Sequence, residues 1–345
     1  MVTFRKFPTV IFGLAIFSVT AAASDSALMN LAMPDAKVLV GANVSKILAS
    51  PMAKQIASQI EGGNPQVQQL FEGTGFDPMR DIHEILVAST GQGHNPPTIV
   101  LVRGTFDVPK ITAFVSSASY APTTYEGVTV LESAQGAHRG QASGVAFLDN
   151  STAVAGDLDQ VRAAIRRRAR GGAFHAALAS KADMLSRRYD IWIYSAISMS
   201  DLATSVPNPN MRQVGDVLKS IQEVSGGMRL GPDMEIAAEM VTGSEKAANS
   251  LADSLRVLIG LMTMNQQGAD GLKPEDLKLT VDARTVRVAV NITAEQLRKA
   301  YQTQMARNTL RPPVAVVHPQ PVDGGITIQS SSKDMGTVVV KGKGE

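Results

Sequence analysis

The chain has no cysteine among its 345 residues, a single tryptophan, five histidines and only 5% aromatic residues. Without cysteine there is no disulfide framework, thiolate metal site, iron–sulfur cluster or lipid-bearing N-terminal cysteine. An excess of one charge is also missing. Lys and Arg number 33 against 31 Asp and Glu, and a formal charge of +2 gives no global electrostatic case for a nucleic-acid binder. Beyond the N-terminal segment no stretch reaches the roughly 18 uninterrupted apolar residues of a membrane-spanning helix. What is present is 44% hydrophobic and 19% charged residues, too apolar for general disorder and without a collagen-like period. One or two ordinary globular domains remain.

Residues 1–23 read as a secretory signal. Arg5 and Lys6 form the positive start, Phe7 to Val19 the apolar stretch, and Ala21-Ala22-Ala23 the small-residue exit, with cleavage before Ser24. The apolar stretch falls short of the roughly 20 residues that an uncleaved anchor would need. Losing Arg5 and Lys6 makes the mature chain formally neutral. A periplasmic or extracellular location is therefore expected, with packing rather than cross-links holding the fold.

Two similar halves follow. Gly156-Asp157-Leu158-Asp159-Gln160-Val161-Arg162 aligns with Ile292-Thr293-Ala294-Glu295-Gln296-Leu297-Arg298, each a capping residue followed by acid, Gln, aliphatic and Arg. The Gln falls where a capping box would place it. Earlier, the β-rich runs Ala36-to-Ala42 and Asp190-to-Ala196 open the halves. Helices are expected from Ser50-Pro51 to Ile60 and from Arg212 to Val224, the second stopping at Gly226-Gly227. Hairpins follow, Ile85-to-Thr90 with Thr98-to-Arg103 and Gly227-to-Leu230 with Glu235-to-Val241. Helices from Asp107 and Ser244 come next, then further strands. This order predicts an α+β fold of two duplicated modules, each an antiparallel sheet with helices on one face. The modules span residues 24–170 and 171–305. Residues 306–345 form a flexible Pro/Gly/Ser-rich tail with one weak hairpin, Ile326-to-Ile328 against Thr337-to-Val340.

Chemical motifs are few. His83, His94, His138, His175 and His318 show no i, i+3 or i, i+4 pairing, and the chain has no Gly-x-Ser-x-Gly elbow. Ser45-Lys46, as neighbours on an extended chain, would point to different faces. Asp77, Asp81 and Glu84 are explained by a helix start at Pro78. Gly91-Gln92-Gly93 lacks the rest of a dinucleotide fingerprint, and there is no phosphate loop. No catalytic residue, metal or cofactor is assigned.

Arg162, Arg166, Arg167, Arg168 and Arg170 form the strongest local charge feature. Most lie in the last helical turn before Gly171, where cations complement the helix C-terminus. Their functional reading is a site for anionic head groups or another envelope polyanion. The helix Glu245-to-Met264 carries Leu251, Leu255, Leu258 and Met262 as a core stripe, and Leu261 and Met264 widen it toward a homodimer contact or a small apolar pocket.

Met33-Pro34-Asp35-Ala36, Phe76-Asp77-Pro78-x-Arg80-Asp81, Arg103-Gly104-Thr105-Phe106-Asp107 and Ala153-Val154-Ala155-Gly156-Asp157 follow the signal in order. With them, the chain from residue 28 to 305 resembles an uncharacterised family of exported bacterial envelope proteins built from two related α+β modules. Those motifs are turns and caps, so the resemblance implies no catalytic residue. The expected function is non-enzymatic, by binding or as a structural component of the envelope, with an envelope protein or ligand as partner and no nucleic acid. Two alternatives stay open: a hydrolase whose site converges only in three dimensions, and an anionic-lipid or polyanion binder using the arginine cluster.

Overall fold

The computed structural model describes residues 26–53, 65–91, 95–116, 120–133, 142–172, 174–197, 219–265 and 276–299. The signal segment, the tail and most of the expected Arg212-to-Val224 helix lie outside these residues. Residues up to Ala300 form one compact unit, and Tyr301–Glu345 a second that lies outside the described residues.

The first half contains α1 (Ser26–Met29), β1 (Val38–Asn43), α2 (Val44–Ala49), α3 (Pro65–Thr74), α4 (Pro78–Asp81), β2 (Ile82–Ser89) and β3 (Thr98–Gly104). It continues with α5 (Val108–Ser116), β4 (Tyr120–Tyr125), β5 (Val128–Ser133), β6 (Ser143–Asp149), β7 (Thr152–Asp157) and α6 (Leu158–Arg170). The second half has α7 (Ala176–Arg188), β8 (Ile191–Ser195), β9 (Ile221–Leu230), β10 (Met234–Thr242), α8 (Glu245–Asn265), β11 (Leu277–Asp282) and β12 (Thr285–Ile292).

The twelve described strands join one sheet, in the order β11-β12-β10-β9-β8-β1-β2-β3-β7-β6-β5-β4, and every described pairing is antiparallel. The α+β class with antiparallel strands is as the hairpin pattern requires. The strands of the two halves form one continuous sheet, because β1 pairs with β8 over Val38↔Ser195 to Ala42↔Ile191. On either side of that junction the same neighbour order recurs, β1-β2-β3-β7-β6 and β8-β9-β10-β12-β11.

Period-two alternation sorts the side chains onto two faces. The upper face carries Leu39, Leu86, Ile99, Leu101, Val130 and Val154 of the first half and Trp192 of β8, packed against Leu28, Met33, Val161, Ile165 and Leu185 from α1, α6, α7 and their flanking turns. The lower face carries Ala42, Ile85 and Val100 under Val44 and Ile47 of α2, and Leu131 and Ala153 under Ile111 and Val115 of α5. Helices on one face were expected; the first half has them on both, because both faces of its strands are apolar. In the second half α8 covers the lower face through Ala248, Leu251, Ala252 and Leu255, against Ile221, Met240, Leu279 and Val286.

Two local expectations change for tertiary reasons. Gly226 and Gly227 do not stop a helix: they lie inside β9, whose strand begins at Ile221. At Gly227 a Cβ would stand 2.6 Å from the Tyr189 ring, so the glycine lets the end of α7 approach the sheet. Ser45 and Lys46 are on α2 rather than on an extended chain. Asn43 caps that helix by accepting from the Lys46 N–H at 2.9 Å. At the junction Gly41 is the register partner of Trp192, and any Cβ there would overlap the indole.

The caps divide in the same way. Thr293 and Gln296 make the expected reciprocal box, with Thr293 N–H donating to Gln296 Oε1 at 2.8 Å and Gln296 N–H to Thr293 Oγ1 at 3.2 Å. Asp157 stands at the N-cap of α6 but makes no side-chain cap bond. Its carboxylate instead accepts from the Thr98 N–H at 2.7 Å, tying β7 to β3.

Candidate functional site

The arginine cluster lies on α6, which ends at Gly171 with φ +69°, a left-handed C-cap. Arg162 pairs with Glu132 at 2.6 Å and lies over the Tyr125 ring, 5.6 Å from its centroid. Arg166 lies over the same ring and donates to the Tyr125 hydroxyl. Arg167 turns inward and donates through Nε at 3.0 Å and Nη2 at 2.7 Å to the Leu31 carbonyl. Burial, with the positive charge of Arg166 beside it, lowers the Arg167 pKa, and Asp35 opposes the shift. Arg168 pairs with Asp149 at 2.8 Å. Arg170 is exposed and makes no ion pair or hydrogen bond with a described residue. Four of the five guanidinium groups therefore bind α6 to β5, to the ends of β4 and β6 and to the segment after α1. An anion binding there would compete with Glu132, Asp149 and the Leu31 carbonyl.

The carboxylates on these arginines respond accordingly. The Thr123 hydroxyl lowers the Glu132 pKa, against burial, and Arg162 adds to the effect. Burial alone would raise Asp149, but the Ser151 hydroxyl and N–H, each donating at 2.7 Å, and Arg168 hold it at about 2.

The other candidates also resolve into structure. Asp77 caps α4 by accepting from the Met79 N–H at 2.9 Å. Asp81 accepts from the Asp77 N–H and from Arg80. Glu84 stays in β2 as the partner of Asn43. His83 Nε2 lies 3.3 Å from Thr105 Oγ1, while its Nδ1 is buried with no hydrogen-bond partner, so no carboxylate orients the ring as a base. His175 is the N-cap residue of α7. His94, His138 and His318 lie outside the described residues. Among the described residues no three His, Asp or Glu side chains group as a metal site.

The feature that motif reading did not single out is the upper face of the second half. Where the first half buries Leu86, Ile99 and Leu101 on that face, the second presents Glu235 and Glu239 on β10, Arg287 on β12, and Lys278, Thr280 and Asp282 on β11. Ion pairs run across it from strand to strand: Arg229–Glu235 at 2.5 Å, Arg287–Glu239 at 2.9 Å and Arg287–Asp282 at 3.3 Å. Toward the junction Lys181 of α7 pairs with Glu223 at 2.8 Å, and the Tyr194 hydroxyl donates to the same carboxylate. A groove of about 970 Å³ opens at the β9–β10 turn end of the sheet, lined by Lys46 and Ser50 at α2 as well as by Arg188 and Tyr189 at the end of α7 and by Arg229 and Ala289. Asp190 anchors its floor by accepting from the Leu230 N–H at 2.7 Å. The strict alternation Leu277-Lys278-Leu279-Thr280-Val281-Asp282 is the sequence signal for this face.

With this geometry in place, the chain can be set beside solved structures. A structure of TP0453, crystal form III, matches 82% of this chain and 100% of its own, at 10% identity and a TM-score of 0.50. The fold is similar to that of TP0453. Crystal form I of the same protein matches 82% of this chain and 99% of its own, at 11% identity and a TM-score of 0.48. No protein-family model and no curated protein matches the chain. No described helix is long and apolar enough to cross a membrane.

Proposed function

We propose that this chain is a non-enzymatic protein of the bacterial cell envelope, exported by residues 1–23, that binds a partner on the open charged face of its second half. One observation carries the binding reading. Strands in the same neighbour order have their upper face covered by α1, α6 and α7 in the first half; in the second α7 reaches only β8 and β9, and among the described residues the upper face of β10, β12 and β11 is open and ion-paired. A sheet face kept polar, with a groove beside it, suits a partner carrying both charges, since it presents Glu235 and Glu239 beside Arg287 and Lys278. Export of this chain rests on its own Arg5-Lys6, apolar stretch and Ala21-Ala22-Ala23 exit.

The test places a photo-crosslinking residue at Ala289, on the groove, and at Thr129, exposed on the opposite face of β5. An adduct in the envelope fraction from position 289 and none from 129 is the expected result. No adduct, or equal adducts, would overturn binding at this face. N-terminal sequencing is expected to begin at Ser24. A full-length chain held in the cytosol would overturn export.

A further inference from the structure

We propose that β11 pairs with the β11 of a second copy, antiparallel about a two-fold axis at Thr280, so that one sheet runs through both protomers. The pairing is independent of the partner proposed for the charged face. Among the described residues β11 is one edge of the sheet, and β4 the other. The two-residue turn Ala283-Arg284 makes Asp282 and Thr285 a hydrogen-bonded pair, and alternation adds Thr280 with Arg287 and Lys278 with Ala289. The N–H and C=O groups of Leu277, Leu279 and Val281 therefore point away from β12, toward the open edge. The same logic applied to the Glu126-Gly127 turn puts Pro122 of β4 in the outward row, where it has no N–H to offer. One edge is thus guarded and the other is not.

The side chains of β11 select both partner and register. With Thr280 opposite itself, Leu279 meets Val281 of the other copy on the lower face, and Lys278 meets Asp282 on the upper face. Lys278 is exposed with no ion pair to a described residue, and the Asp282 side chain is 72% exposed. Moving the axis to Leu279 would set Asp276 against Asp282, and moving it to Val281 would set Lys278 against Arg284. Of the three, only the Thr280 axis joins opposite charges, and like charges directly opposite are unfavourable. This self-complementarity is what an isologous two-fold contact requires. The axis also keeps both copies of α8 on one face.

The experiment uses the mature chain, residues 24–345, in sedimentation equilibrium, with circular dichroism checking the fold of each variant. A dimer is expected, weakened about tenfold by Lys278→Asp or Asp282→Lys alone and restored by the double exchange. Because the chain has no cysteine, Thr280→Cys should form an intermolecular disulfide under oxidation, whereas Thr124→Cys on β4 should not. A monomer at every concentration would overturn the proposal. So would a dimer indifferent to both charge reversals, or one that appears only when residues 306–345 are removed, since the tail would then be the strand on this edge.

Discussion

The two halves of the sheet share a strand order and differ in what each face meets. In the first, β2 and β3 are apolar on both sides, and helices enclose them above and below. In the second, β10, β11 and β12 are apolar below, under α8, and carry ion pairs above. The backbone plan is therefore indifferent to whether a face is buried; the side chains decide. Replacing Leu, Ile and Val at every second position with Glu, Arg, Lys and Thr turns a three-layer region into a two-layer one without altering a single pairing.

This contrast can be broken in measurable steps. Leu101→Ala, in the enclosed half, should cost about 3–4 kcal/mol in urea unfolding, and Leu279→Ala, half-buried under α8, about 1–2 kcal/mol. Equal losses would mean that the two halves are equally enclosed. Gly41→Ala, at the junction, should cost about 2 kcal/mol by pushing a methyl group into the Trp192 indole. A neutral result there would show that the junction repacks freely.

A smaller effect is read through pH. Asp149 has its pKa depressed to about 2 in the fold, so its contribution is complete above the unfolded value near 3.8 and is lost as pH falls toward 2. Solvent screening at a side chain 37% exposed holds this to about 1 kcal/mol. Asp149→Asn should therefore flatten the stability profile between about pH 4 and pH 2 and leave its shape above pH 5 unchanged, as followed by acid titration of the urea midpoint. Least of all, Arg170→Ala should change stability by under about 0.5 kcal/mol, whereas Arg168→Ala should cost up to about 1 kcal/mol. Reversal of that order would mean that the ion pair with Asp149 contributes nothing to holding α6.

Where local chemistry decides the conformation, the sequence was readable. Asp77 before Pro78, Gly171 after the arginines and Thr293 with Gln296 all act within four residues of themselves, and each behaves as its spacing predicts. Reading failed where a distant residue decides. Gly226-Gly227 looks like a helix stop until Tyr189 is brought against it, and Asp157 looks like a capping side chain until Thr98 arrives from 59 positions away. The helices α2 and α7 escaped notice: α2 has only six residues and starts on a β-branched valine, and α7 buries just Ala182, Leu185 and Ser186. The arginine cluster was visible as charge, but Glu132 lies 30 residues from Arg162, and nothing local reveals that the two meet. The charged face is written in the alternation of β11, yet alternation alone does not say that no described helix lies above it.

Trp192 sits 2% exposed in the notch left by Gly41, on the strand pair that joins the halves, and it is the chain's one indole. Tryptophan emission from the intact protein is therefore a signal from a single place. A change of packing across that strand pair would shift its colour, while events at either distant edge would leave it unchanged. Its emission reports on the strand pair that joins the two halves, without any label.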